Sequence, residues 1–284
     1  MLPARRRAHT LSPTNVGNAR PSRRDIGPVD HRRHLSEPLT MRTIRLLIEY
    51  DGSDFVGWQV QSEGRTVQAE LARAIKILTK DDTYPTGSGR TDAGTHALGQ
   101  VAHFYTHSTL PIERMHRGLN ALLPADITVH TVEDVDDSFH ARYSAKRKRY
   151  RYRIHEGKNS ISRNFTYTCF RPLNFDYLRE ASLVLPGTHS FGAFCKQDPV
   201  PNNLLCTIYT AEWQRQGREL VFEVEGNRFL RHMVRIFVGT MIEIGLEQRS
   251  PSAMKTLLES GEREAAGHTA PACGLHLLWV RYDT

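Results

Sequence analysis

A chain of 284 residues with 39% apolar content can bury a substantial core. Its most apolar stretch, Phe229 to Gly245, is broken by Arg231, His232, Arg235 and Glu243, so no membrane-spanning helix is expected. The net charge of +7 suggests nucleic acid until it is divided along the chain: residues 1–40 hold eight arginines against three acids, which leaves only +2 for the other 244 residues. Four widely spaced cysteines with no Cys-x-x-Cys pair argue against a disulfide framework or a structural zinc site and fit a reducing cytoplasm; fourteen histidines without a His-Glu-x-x-His pair give no reason to expect a metal.

Residues 1–40 are rich in Arg, Pro, Ser, Asn and Gly with no apolar period, and read as a disordered basic extension. Three readings compete for it: an RNA-tethering arm, an organelle transit peptide, or sequence upstream of a natural start at Met41. From Thr43 the pattern changes. Ile44, Leu46, Ile48 and Tyr50 alternate with Arg45, Leu47 and Glu49, the period of a strand with one buried face, and Asp51-Gly52 then turns the chain. Thr66 caps a helix expected over about 67–79. A glycine-rich loop, a strand near Gly99–Tyr105, a helix from Pro111 and a strand over Thr128–Val135 follow.

The second half reads as a strand at Arg149–His155, a helix at about 175–185, and strands at Thr207–Trp213 and Glu219–Glu225. A long helix is expected from about Asn227 to Gly245, then a short helix after Pro251 and a last strand, Leu275–Tyr282. This order predicts an α+β fold with a mixed or largely antiparallel sheet, in two halves, 41–145 and 146–284.

Three segments could carry chemistry. In Gly87-Ser-Gly-Arg-Thr-Asp-Ala-Gly94 the glycines allow close backbone approach around Arg90 and Asp92, and no Gly-Lys-Ser/Thr ending marks a phosphate-gripping loop; a plain turn is the bland alternative. From Phe139 to Arg153, seven cations interleave with Tyr143, Tyr150 and Tyr152. On a strand, Tyr150, Tyr152 and Ile154 share one face and Arg149, Arg151 and Arg153 the other, which suits phosphates and stacked bases, or else a solvated edge. In the expected helix from Asn227, Arg228, His232 and Arg235 fall on one stripe that Gly239 continues.

These segments closely resemble the bacterial tRNA pseudouridine synthase A family. The resemblance runs from Arg42 to Tyr282 through Glu49-Tyr-Asp-Gly-Ser53, Gly57-Trp-Gln59, Gly89-Arg-Thr-Asp-Ala-Gly94, Asn120-Ala-Leu-Leu-Pro124, Phe139-His-Ala-Arg142, Arg149-Tyr-Arg-Tyr152, His232-Met-Val-Arg235 and Thr269-Ala-Pro271. It implies the pseudouridine synthase fold, two α+β halves around a continuous sheet and a central basic cleft. It also implies a homodimer acting without a cofactor on uridine 38, 39 or 40 in the anticodon stem-loop of tRNA. By the same resemblance Asp92 is the nucleophile, Arg90 displaces or holds the target nucleotide, Tyr150 stacks on the uracil and Arg235 pairs with Asp92. Leu277 is a candidate pocket wall, and Arg142, Arg147, Arg149 and Arg228 are candidate contacts to the RNA backbone.

The chemistry explains why such residues are wanted. A C–N glycosidic bond breaks and a C–C bond forms between the same partners, so nothing is oxidised and no group is imported. A carboxylate is needed to attack the ribose, attack the base or remove a ribose proton, and an adjacent arginine favours its ionised form. The base must be flipped out of the stem and the pocket closed to water. Two rivals share these features: a non-catalytic tRNA-binding or tRNA-folding protein, and a uridine-directed nucleosidase.

Overall fold

The computed structural model describes residues 40–196, 198–199 and 201–282; apart from Thr40, the expected basic extension lies outside them. The elements are β1 (Arg42–Tyr50), α1 (Val67–Thr79), β2 (Thr86–Gly87), β3 (His96–Thr106), α2 (Ile112–Leu122), β4 (Ile127–Val135), β5 (Ala145–Glu156), β6 (Tyr167–Cys169) and α3 (Phe175–Ser182). They continue with β7 (Gly187–Ser190), β8 (Leu205–Gln216), β9 (Glu219–Gly226), α4 (Met233–Gly245), α5 (Ala253–Ser260) and β10 (Leu275–Tyr282). One mixed sheet runs through them in the order β4-β1-β3-β10-β5-β9-β8-β7, with β2 paired to β3 and β6 to β5. This is the expected α+β class.

The last strand makes the sheet continuous. β10 lies parallel to β3 and antiparallel to β5, so Leu277 stands beside Ala97 on one side and Tyr150 on the other. The segment after the glycine-rich loop is thereby fastened to the strand that carries the tyrosine. Period-two burial in β1 puts Ile44, Leu46 and Ile48 into the core as the sequence predicts, and α1 is capped by Thr66, whose side chain accepts from Ala69 N.

One expected element begins late. Instead of starting near Asn227, α4 begins at Met233, because the preceding residues are committed elsewhere. Asn227 N donates to Thr207 O, Lys196 N donates to Arg231 O, and His232 adopts a left-handed φ of 65°, which breaks helical continuity. The stripe of Arg228, His232 and Arg235 therefore does not exist as a helical face; only Arg235 is helical.

Gly239 lets α4 approach the segment before β10. A Cβ there would lie 1.8 Å from His268 O, in a core where Ile236, Phe237, Val238 and Met241 are fully buried. Gly239→Ala should destabilise the protein by about 1–3 kcal/mol, read as a lowered urea midpoint, despite the higher helix propensity of alanine.

Buried neutral histidines add a pH dependence. His276 Nε2 donates to Phe165 O at 3.0 Å and its ring stacks on His96 at 4.8 Å; burial pulls it down to about 4, and does the same to His103. Both folded values lie below the ordinary histidine value, so the unfolded chain binds more protons as acid is added. Stability should fall as pH drops from about 6.5 to 4, by on the order of 3 kcal/mol for His276 and by less for His103, whose ring is less fully desolvated and shares its shift with His140. A urea midpoint constant across that window would contradict this.

Candidate active site

The loop between β2 and β3 is gripped from several sides. Ser88 N donates to Val101 O, Ser88 Oγ to Gln100 Oε1 at 2.7 Å, and Gln100 Nε2 to Gly89 O at 2.9 Å. Trp58 N donates to Thr91 O, and the hydroxyls of Tyr50 and Thr91 meet at 2.8 Å. The turn after β1 closes over the other side: Gly57, at φ 106°, comes so near that a Cβ would stand 2.7 Å from Thr91 O. Thr95 N bonds back to Asp92 O, and Asp92 is left at the apex with its carboxylate half-buried.

Arg235, in the first turn of α4, reaches that carboxylate. Its Nη1 donates to Asp92 Oδ2 at 2.7 Å while its Nε donates to Ala270 O at 2.7 Å, and its backbone carbonyl accepts from Ala270 N. The guanidinium is thus tethered at both ends, and the pair is a charge-assisted hydrogen bond between residues 143 apart in sequence. His232, turned by its left-handed backbone, brings Nε2 to 3.5 Å from the other oxygen, Asp92 Oδ1. Burial lowers the affinity of this ring for a proton; Asp92 opposes that effect, and Arg235, Arg231 and Lys196 add to it.

Tyr150 lies on the same side of the sheet. Its ring is buried, meets Phe229 edge-on at 5.0 Å and stands next to Leu277 in register. Burial, with Tyr50 and Asp92 nearby, pushes its phenol well above the usual tyrosine range, so the hydroxyl stays protonated at neutral pH. Leu277 itself is fully buried.

The other sequence candidates divide. Arg90 is exposed two residues from Asp92, and Arg142 and Arg228 lack carboxylate partners among the described residues. Arg147 and Arg149 fall on the opposite face of β5 from Tyr150, and each is paired with an acid of β9: Arg147 with Glu225 at 3.1 Å, Arg149 with Glu223 at 2.6 Å. Arg151 and Arg153 continue the pattern with Glu223 and Glu219. A cavity of about 320 Å³ opens on this far face beside Arg151 and His276. Its charged lining is already engaged: Arg151 and Arg153 pair with glutamates of β9, Asp51 accepts from Ser53 N and Oγ, and Glu49 meets His130; Tyr150 does not line it.

Two residues of the site were given no role in the sequence reading. His232 was read only as part of a helical stripe with Arg228 and Arg235, and it is the break before α4 that turns it toward Asp92. Lys148 was counted among the seven cations of its segment, and the alternation that separates Tyr150 from Arg149 also places it on the tyrosine side.

The sequence model of the tRNA pseudouridine synthase family matches residues 46–144 and 181–283. The tRNA pseudouridine synthase A of Anoxybacillus flavithermus is 46% identical over 245 residues, 86% of this chain and 100% of that protein. Its Bacillus subtilis counterpart is 44% identical over 244 residues, 84% and 99% of the two chains. A chain in the crystal structure of the archaeal box H/ACA sRNP Nop10–Cbf5 complex aligns over 77% of this chain and 57% of its own length, with 12% identity and a TM-score of 0.31, too loose a likeness to add weight. The two matched blocks contain the loop of Asp92, Arg235 and Leu277, and the curated relatives align along nearly their whole length: the chain belongs to the tRNA pseudouridine synthase family.

Proposed function

We propose that the chain isomerises uridine to pseudouridine at positions 38, 39 or 40 of the tRNA anticodon arm, with Asp92 as nucleophile. The observation that carries this reading is the asymmetry of the Asp92 carboxylate: Oδ2 is held by a doubly tethered arginine, and Oδ1 faces His232 at a distance longer than a good hydrogen bond. One oxygen is fixed and the other can react.

The remaining residues fit the steps that surround the reaction. Extracting a stacked uridine costs a few kcal/mol, and in this reading the exposed Arg90 would fill the gap it leaves. In this reading the uracil would stack on the Tyr150 ring, and the buried Leu277 beside it would be an apolar wall that keeps water from the broken glycosidic bond. Because Arg147 and Arg149 are neutralised by β9, the contacts to the RNA backbone fall to Arg142 and Arg228, on charge grounds. Residues 41–145 and 146–284 form the two halves in this reading. A homodimer in the cytoplasm completes it: Leu98, Tyr105 and Tyr209 are exposed on the sheet, a surface that a second copy would cover, and all four cysteines are free thiols.

Tritium release from an anticodon stem-loop labelled at uridine C5 tests the assignment. Release without free uracil is expected. Free uracil would make the protein a nucleosidase, and tight binding with no release a non-catalytic RNA-binding protein. The tyrosine separates ring from hydroxyl: Tyr150→Phe should keep RNA affinity within about twofold, whereas Tyr150→Ala should lose roughly 1–3 kcal/mol of binding, measured by filter retention.

A further inference from the structure

Lys148 lies on the Tyr150 side of β5, half-buried, with its Nζ donating to Ser88 O at 2.6 Å. The ammonium sits against the loop of Asp92, and a Cβ on Gly89 would stand 3.2 Å from it. That hydrogen bond uses one of three ammonium N–H groups, and among the described residues no carboxylate pairs with it. The charged groups that act on it are themselves cations, Arg142 from the segment before β5 and Arg228 from the segment after β9.

Among the described residues neither of these is neutralised either. Arg228 Nη2 donates to Asn203 O at 3.4 Å, and the Arg142 guanidinium lies over the Tyr143 ring at 5.7 Å. The register neighbours of Lys148, Val280 on β10 and Gly226 on β9, are uncharged. On the far face of the same strand the four arginines from 147 to 153 are all paired with glutamates, Arg149 and Arg151 sharing Glu223. Three cations without an acid among the described residues, one of them desolvated with donors to spare, are unfavourable unless an anion joins them. Burial and the two arginines pull the Lys148 ammonium down to about 8.

We propose that Lys148, with Arg142 and Arg228, forms an anion site beside the nucleophile loop that takes the phosphodiester adjoining the flipped uridine. The proposal rests on the reading of Asp92 as the reacting group. It has a consequence in pH: the phosphodiester binds the protonated lysine, so RNA affinity should fall above pH 8, by about tenfold at pH 9.

Equilibrium binding of an anticodon stem-loop RNA to the Asp92→Asn protein reads the site without turnover. Replacing one of the two phosphates that flank the target uridine by an uncharged methylphosphonate should weaken binding about tenfold when Lys148 is present. In a Lys148→Met background the same replacement should cost less than about twofold. Lys148→Arg should restore the affinity and remove the decline above pH 8. Equal losses in both backgrounds at both linkages would overturn the proposal. So would a Lys148→Met protein that binds RNA normally but turns over slowly, since Lys148 would then serve only to hold Ser88 O. If tritium release fails while methylphosphonate discrimination persists, the anion site stands and the assigned reaction falls.

Discussion

Asp92→Asn should lower tritium release by roughly 10⁴-fold or more, the scale on which enzymes lose turnover when a nucleophile is removed. Affinity for the anticodon stem-loop should stay within a few-fold. The substitution preserves shape, and the amide oxygen can still accept from Arg235 Nη1, so the tether between the loop and α4 survives. The carboxylate is half-exposed and the loop is held by its backbone through Gln100, Trp58 and Thr95, so folding stability should change by no more than about 1 kcal/mol. A variant that retains a few per cent of wild-type turnover, with RNA binding intact, would remove Asp92 from the role of nucleophile.

The prediction depends on a contact that the sequence could not supply by itself. Periodicity found β1, α1 and the buried tyrosine face of β5, because each has one side in the core and the alternation of side chains records it. It placed the start of α4 too early, because Phe229 and Leu230 continue the apolar pattern backward while the interruption comes from bonds to Thr207 and Lys196, residues distant in sequence. The arginines of β5 were read as contacts for RNA because β9, which brings Glu219, Glu223 and Glu225 against them, becomes their neighbour only once the sheet order is known. Asp92 and Arg235 came together in the sequence reading only through family resemblance. Lys148 was within reach of simple alternation, but in the sequence its single charge is outnumbered by the arginines of the other face of β5.

Replacing Arg235 gives the second large effect and separates chemistry from packing. Arg235→Met removes the donor to Asp92 Oδ2 and the bond to Ala270 O together, and turnover should fall by roughly 10²–10³-fold, the range for losing one preorganised charged donor. Arg235→Lys should recover little, because an ammonium on a flexible stem cannot hold both acceptors in the fork geometry of a guanidinium. A merely structural role for Arg235 would predict loss of activity in proportion to loss of stability. An electrostatic role predicts something further at His232. Arg235 is one of the groups that lower the proton affinity of that ring and Asp92 the one that raises it, so with the arginine gone the imidazole should take up a proton at higher pH than in the wild type. A histidine titration followed by NMR in the two proteins measures the direction. An unchanged or lowered His232 value in Arg235→Met would mean that the three groups do not share one field around the reacting oxygen.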